Sequence, residues 1–179
     1  QQLFAIEQYV NMALSYMRLG SETTDFVLRQ TDLDEVIRMA VRRYARHFIS
    51  KKIVLHYEET GARVLTDEKW LQFALEQILS NAAKYTRQGG VTIRLSDPSR
   101  PELVIQDSGI GIQLEDLPRV TDWGYTGQNG HSGTRSTGIG LALCRETLEM
   151  LGHRMRIEST PGVGTSVYLD FSRNELEIF

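Results

Sequence analysis

Cysteine is almost absent from this sequence: Cys144 stands alone among 179 residues, which excludes an internal disulfide framework and a cysteine-based metal cluster. It lies in a helical pattern, where a lone thiol behaves as a small buried hydrophobe, and such sparing use fits a reducing compartment. Long hydrophobic runs are missing too. No stretch approaches the roughly 18 to 20 apolar residues that a membrane-crossing helix needs, so any membrane anchor is expected outside the chain. Positive charge is not in excess, because 20 Lys and Arg face 23 Asp and Glu for a formal net charge of -3. That balance argues against nucleic acid as a partner. The chain opens on Gln1 with no signal-like segment and is expected to be an internal part of a longer protein. There is no internal repeat. What is present is a globular composition, 41% hydrophobic and 24% charged, sufficient for one well-filled domain with a short appendage.

Leu3, Ile6, Val10, Ala13 and Met17 recur at alternating steps of three and four, so residues 1–20 read as a helix with one apolar seam. The periodicity fits half of a helical pair and an amphipathic helix packed on its own domain equally well. Residues 21–24 form a polar break, and the domain proper is expected over 25–172, with 173–179 as a tail. Within it, Asp25 to Thr31 carries a weak strand pattern, and Thr31-Asp32 can cap a helix whose apolar face is Val36, Ile37, Ala40, Val41, Tyr44, Ala45 and Phe48. Arg38, Arg42, Arg43 and Arg46 fall largely on the opposite, solvated side. Lys52 to Glu58 alternates as a strand, Arg63 to Leu65 is a short extended piece, and Thr66-Asp67 opens a second helix reaching about Tyr85. Val91 to Leu95 and Leu103 to Gln106 read as an antiparallel pair joined by Asp97-Pro98-Ser99-Arg100-Pro101. Residues 121–140 hold six of the 15 glycines and read as a mobile loop. A helix over Ile139 to Leu151 and strands over Met155 to Ser159 and Thr165 to Phe171 complete an α+β fold, a mixed and mostly antiparallel sheet covered by helices.

Three short segments carry chemistry. On the second helix Gln77, Asn81 and Lys84 stand at i, i+4 and i+7, a polar stripe beside the apolar arc of Leu71, Ala74, Leu75, Ile78 and Ala82. Alone, such a stripe is most simply a solvated face. Asp107-Ser108-Gly109-Ile110-Gly111-Ile112 follows a strand directly and sets a carboxylate beside glycines that let a flat ligand approach the backbone. Alone, that is an Asx-type turn leaving a strand. Ser136-Thr137-Gly138-Ile139-Gly140-Leu141 opens a helix, where free N–H groups and the positive end of the helix dipole suit phosphate oxygens, although simple loop flexibility also produces a glycine pair there.

Taken together, in this order and spacing, the segments resemble the N, G1 and G2 boxes of the ATPase fold shared by histidine kinases, DNA gyrase, Hsp90 and MutL. Glu76-Gln77-Ile78-Leu79-Ser80-Asn81-Ala82-Ala83-Lys84-Tyr85-Thr86 resembles the histidine-kinase N box, Leu117 to Gly130 its F box and lid, and Gly162-Val163-Gly164-Thr165 its C-terminal strand turn. The resemblance covers 25–172, and the preceding helix is similar to the second helix of the family's dimerisation and phosphotransfer hairpin. The chain most resembles the Firmicutes peptide-antibiotic-sensing group of intramembrane-sensing kinases, whose N box also carries Glu-Gln and whose lid carries Gly-Tyr/Phe-Thr-Gly. The resemblance implies a two-layer α/β sandwich holding ATP, with Asp107 on the adenine amine and Asn81, joined by Gln77, on the magnesium ion. It also implies Lys84 at phosphate, Tyr85 near base or ribose, Gly109 and Gly111 at the adenine end, and Gly138, Gly140 and Leu141 near the phosphates. Thr126, Gly127 and Thr165 complete the implied nucleotide-binding set. Implied partners are a response regulator receiver domain and a second copy through the hairpin, with the domain on the cytoplasmic side of a bacterial plasma-membrane sensor.

Three features depart from the family pattern. Gln77 stands where the family carries an asparagine and its hydrolysing relatives a water-activating glutamate; an amide cannot be that base. Glu76 is adjacent but about 100° around the helix, so slow hydrolysis and transfer to a presented nucleophile are expected. Ser136 and Thr121 replace a glycine and a phenylalanine. The four histidines, His47, His56, His131 and His153, lack the H-box context and read as surface or partly packed residues. The acceptor histidine is expected upstream, and the chain is expected to bind nucleotide without phosphorylating itself. Two other readings are a stand-alone serine kinase of the same fold that controls a sigma factor, and a module that senses ATP without transferring phosphate.

Overall fold

The computed structural model describes residues 26–127 and 137–172, together with Leu14. The predicted helix over 1–20 other than Leu14, the 21–24 break, His131, Ser136 and the 173–179 tail lie outside the described residues.

Strand β1 (Arg29–Asp32) is shorter than the pattern over Asp25 to Thr31 suggests and pairs antiparallel with β3 (Arg63–Thr66) in a small two-stranded sheet. Between them lie α1 (Leu33–Lys51) and β2 (Val54–Tyr57). Helix α1 starts where Asp32 accepts from the N–H groups of Asp34 and Glu35, satisfying donors that the first turn leaves without partners. It stops at Lys52, which turns left-handed at φ 57° and returns its N–H to the carbonyls of Ile49 and Phe48. Asp67 caps α2 (Glu68–Tyr85) in the same way, through the N–H groups of Lys69 and Trp70. Helix α3 (Gly140–Met150) is the third member of the helical layer.

The main sheet adds β4 (Gly90–Leu95), β5 (Glu102–Asp107), β6 (Arg154–Thr160) and β7 (Gly164–Asp170) to β2, in the order β2-β4-β5-β7-β6. Only β2 and β4 run parallel; the other neighbours are antiparallel, giving the mixed sheet expected. Val91, Ile93, Leu103, Ile105, Val167 and Leu169 alternate onto one face and pack with Val36, Ile37, Leu71, Leu75, Ile78, Leu79 and Leu148 in a single core. On the opposite face Thr92 and Gln106 border a shallow depression of about 390 Å³ with Val54, His56 and Ser108.

One reading is corrected here. His153 is neither a surface nor a partly packed residue but is 3% exposed. Its Nε2 lies 2.9 Å from Thr66 Oγ1, and its ring meets Phe171 edge-on with centroids 4.8 Å apart. The last residue of β3 thus supplies a polar partner to the buried ring.

Candidate functional site

Helix α2 buries Leu71, Ala74, Leu75, Ile78, Leu79 and Ala82, and the helical period leaves Gln77, Asn81 and Lys84 half-buried beside that arc. The Lys84 ammonium lies 5.1 Å from the ring centroid of Tyr85, the last residue of the helix. Gln77 adjoins α3: a Cβ placed on Gly140 would come within 3.1 Å of its Oε1. Glu76, one helical step away, points elsewhere. Its carboxylate pairs with Arg43 of α1 at 3.2 Å and accepts from Gln72 Nε2 at 2.9 Å, which holds it at the α1–α2 contact rather than beside Asn81. The roughly 100° step between successive helical residues is the physical reason.

Asp107 ends β5, in register with Thr165 of β7. Its Oδ1 accepts the Gly109 N–H at 2.8 Å, so the chain turns back under its own carboxylate. Burial raises the Asp107 pKa, partly offset by the N–H groups of Gly109 and Thr165 and by the Thr86 hydroxyl. That hydroxyl is fully buried and close enough to favour the charged carboxylate, yet it lies outside hydrogen-bond geometry with any described residue. Thr86 closes the N-box stretch seen in the sequence but carries no role in that reading. It caps the C-terminus of α2, and only the tertiary structure brings it beside Asp107. The Ile110 N–H donates to the Tyr85 carbonyl at 3.3 Å, which fastens this turn to the end of α2. Gly109 has no room for a side chain, since a Cβ would lie 2.6 Å from Asp107 Oδ1 and 2.8 Å from the Tyr85 carbonyl oxygen. Gly111, at φ +70°, would press a Cβ to 2.2 Å from the Thr160 carbonyl oxygen. Thr165 Oγ1 sits 2.9 Å from the hydroxyl of its cross-strand partner Ser159, which also accepts the Ile112 N–H.

On the third side, the Gly124 N–H donates to the Gly138 carbonyl at 3.1 Å, joining the two ends of the segment that flank residues 128–136. Gly138 has φ +67°, and a Cβ there would lie 2.4 Å from the Gly124 carbonyl carbon. The Tyr125 hydroxyl donates to Asp116, and the Arg119 guanidinium stands 4.3 Å over its ring. Thr126 and Gly127 are half-buried, Gly127 against Asp116. Thr121, where an aromatic was expected, accepts from Arg145 of α3 at 2.7 Å, so a polar contact ties this segment to the helix. Ile139 precedes α3 and offers no side-chain cap, and the half-buried Leu141 lies in its first turn. The leading N–H groups of α3 are therefore available to an anionic ligand, to the extent that the described residues show.

The donor set matches a nucleotide. A half-buried carboxylate with an under-used hydroxyl beside it suits an exocyclic amine, while an ammonium and a helix N-terminus suit phosphate. Among the described residues no three His, Cys, Asp or Glu side chains converge as a metal site. The amide oxygens of Asn81 and Gln77 could supply one or two ligands to a magnesium ion, which takes few protein ligands when phosphate and water provide the rest. His56 faces the outer side of the sheet and His153 is buried on Phe171.

Comparison with known proteins follows the same lines. The family described as histidine kinase-, DNA gyrase B-, and HSP90-like ATPase matches residues 66–175, more than half of the chain. The sensor histidine kinase YxdK of Bacillus subtilis (strain 168) is 36% identical over 173 residues, covering 93% of this chain and 52% of its own length. The sensor histidine kinase GraS of Staphylococcus haemolyticus is 36% identical over 176 residues, covering 96% and 51% respectively. The chain thus spans about half the length of these curated relatives. Among solved structures, the mycobacterial sensor histidine kinase MprB superposes with a TM-score of 0.68 at 27% identity, over 80% of this chain and 95% of that one.

Proposed function

Because the chain belongs to the histidine kinase-, DNA gyrase B-, and HSP90-like ATPase family, we propose that it is the ATP-binding catalytic domain of a sensor histidine kinase. The observation that supports this reading is the Asp107 turn fastened through Ile110 and Tyr85 to the end of α2, the helix that bears Asn81 and Lys84. In this reading Asp107, with Thr86 and Thr165, takes the adenine amine; Tyr85, Gly109 and Gly111 line the base; and Lys84 with the start of α3 at Gly138, Gly140 and Leu141 takes the phosphates. Thr126 and Gly127 belong to the segment that covers them. Asn81, aided by Gln77, holds the magnesium ion that accompanies the nucleotide and lowers the charge repulsion at the phosphates.

Transfer breaks the bond between the γ-phosphorus and the bridging oxygen, forms a phosphorus–nitrogen bond to an imidazole, releases the imidazole proton and leaves ADP. Such chemistry asks mainly for positioning and charge neutralisation. With Glu76 engaged by Arg43 and Gln77 lacking a basic atom, no described residue beside Asn81 serves as a base for water, which favours a presented histidine over hydrolysis. That histidine, the hairpin through which two copies associate, and any membrane anchor are assigned to the remainder of the longer protein. Residues 25–172 are the catalytic domain. A response regulator aspartate receives the phosphoryl group, and the domain works on the cytoplasmic side.

Calorimetric titration with a non-hydrolysable ATP analogue tests the reading. Magnesium-assisted binding is expected, weakened by about 30-fold or more in Asp107→Asn, the scale of a lost charged hydrogen bond near 2 kcal/mol. Asn81→Ala is expected to weaken binding about tenfold with magnesium and little without it. A folded protein that ignores millimolar nucleotide would overturn the proposal.

A further inference from the structure

The last four carbonyls of any α-helix have no partner within it, and here those carbonyls belong to Ala82, Ala83, Lys84 and Tyr85, the segment that carries the nucleotide-facing side chains. Two are satisfied from nearby turns. The Thr86 N–H reaches the Ala82 carbonyl at 3.0 Å, and the Ile110 N–H reaches that of Tyr85 at 3.3 Å. The other two converge on one side chain from another helix. Lys51 Nζ donates to the Ala83 carbonyl at close range and to the Lys84 carbonyl at 3.3 Å.

Lys51 reaches them from a fixed point. It is the last residue of α1, and the chain beyond it is locked by the Lys52 N–H on the Ile49 carbonyl at 3.0 Å and the Ile53 N–H on the Phe48 carbonyl at 2.9 Å. A cation at a helix C-terminus also opposes the negative end of the helix dipole. Without it, two carbonyls in the last turn of α2 would turn toward water, and that turn bears Lys84 and Tyr85 and holds Ile110 through the Tyr85 carbonyl.

We infer that Lys51 is a positioning residue of the nucleotide site: by holding the Ala83 and Lys84 carbonyls it sets the direction of Lys84 and Tyr85 and, through Ile110, the seat of the Asp107 turn. It touches neither nucleotide nor magnesium. The inference rests on the ATP-binding reading above and adds a residue that lies outside the three sequence boxes.

The test compares the whole chain with Lys51→Met, Lys51→Arg and Asp34→Asn, by calorimetry with the ATP analogue and magnesium well below the melting temperature and by thermal unfolding. Asp34 is the stability control. It is buried and accepts from the Tyr57 hydroxyl, from both the N–H and the hydroxyl of Thr60 and from the Gly61 N–H, at the far end of α1. Lys51→Met is expected to weaken analogue binding by about tenfold, the cost of two charge-assisted hydrogen bonds felt indirectly. Lys51→Arg should restore it to within about twofold, because guanidinium can still donate to both carbonyls. Asp34→Asn, though it lowers the melting temperature, should leave affinity unchanged. If Lys51→Met does not fold, Lys51→Gln replaces it; its shorter amide cannot span both carbonyls and should show a smaller loss in the same direction. Equal affinity in the Lys51 variant and the unaltered protein, or a loss no larger than in Asp34→Asn, overturns the Lys51 assignment alone. Absence of binding by the unaltered protein overturns the nucleotide reading and the assignment with it.

Discussion

Asp34 and Asp107 are both carboxylates drawn out of water, and their partners send them opposite ways. Burial alone would raise the Asp34 pKa, but donors from Tyr57, Thr60 and Gly61 outweigh it and hold the group below the ordinary carboxylate value. Asp107 has fewer donors, burial wins, and the pKa is raised, leaving acceptor capacity for a ligand amine. His153 shows the same competition in a base. Burial pushes its pKa down to about 4 against a weaker upward pull from Asp170, and Nδ1 has no partner among the described residues. Because the folded value lies below the unfolded 6.5, the neutral ring contributes stability that is complete above pH 6.5 and is lost as pH falls toward 4. Chemical denaturation at pH 7 and pH 4.5 should therefore show the unaltered protein losing about 2 to 3 kcal/mol more than His153→Gln, which keeps a polar partner for Thr66 but cannot titrate. Nothing near His153 in the sequence announces this, since its partners Thr66 and Phe171 arrive from β3 and from the residue after β7.

Elements were legible where a local rule decides them. Asp32 and Asp67 cap α1 and α2 because a short carboxylate reaches the second and third N–H of a starting helix whatever surrounds it. Alternation placed β4, β5 and β7 within a residue or two, because each puts one face on the helices. The pairing of β1 with β3 was not legible, for two four-residue strands carry too little pattern to select each other. Asp67 does more than cap, since its Oδ2 also accepts the Val27 N–H at 2.9 Å and ties the segment before β1 to α2. Asp67→Ala should cost about 1 to 2 kcal/mol and lower the melting temperature by roughly 2 to 8 °C, with Asp67→Ser recovering part of it. Differential scanning calorimetry checks both. Lys51 marks the limit of element reading: a lysine at a helix end looks like a solvated complement to the dipole, whereas its carbonyl partners lie 32 and 33 residues onward.

Among the described residues the main core joins the helical layer to the sheet, and the proposed site draws on α2, the β5 end, the segment before α3 and β7. A ligand that bridges these parts should stabilise all of them together. At a hundredfold excess over its Kd an ATP analogue with magnesium should add about 2.7 kcal/mol and raise the melting temperature by roughly 5 to 10 °C, measured by thermal shift. Asp107→Asn, binding about 30-fold more weakly, should retain no more than about a third of that gain at the same ligand concentration while still unfolding in one transition.

From the residues alone came the α+β class, the helix caps, the three boxes and the separation of Glu76 from the Asn81 face, because each follows from short-range geometry: a period of 3.6 or 2, a cap three residues wide, glycine where the backbone must come close. Tertiary structure alone decided the burial of His153, the recruitment of Thr86 beside Asp107, the Thr121–Arg145 contact and the grip of Lys51 on α2. Each of these joins groups distant along the chain, and which polar atoms meet there depends on how the layers pack, which local periodicity does not encode.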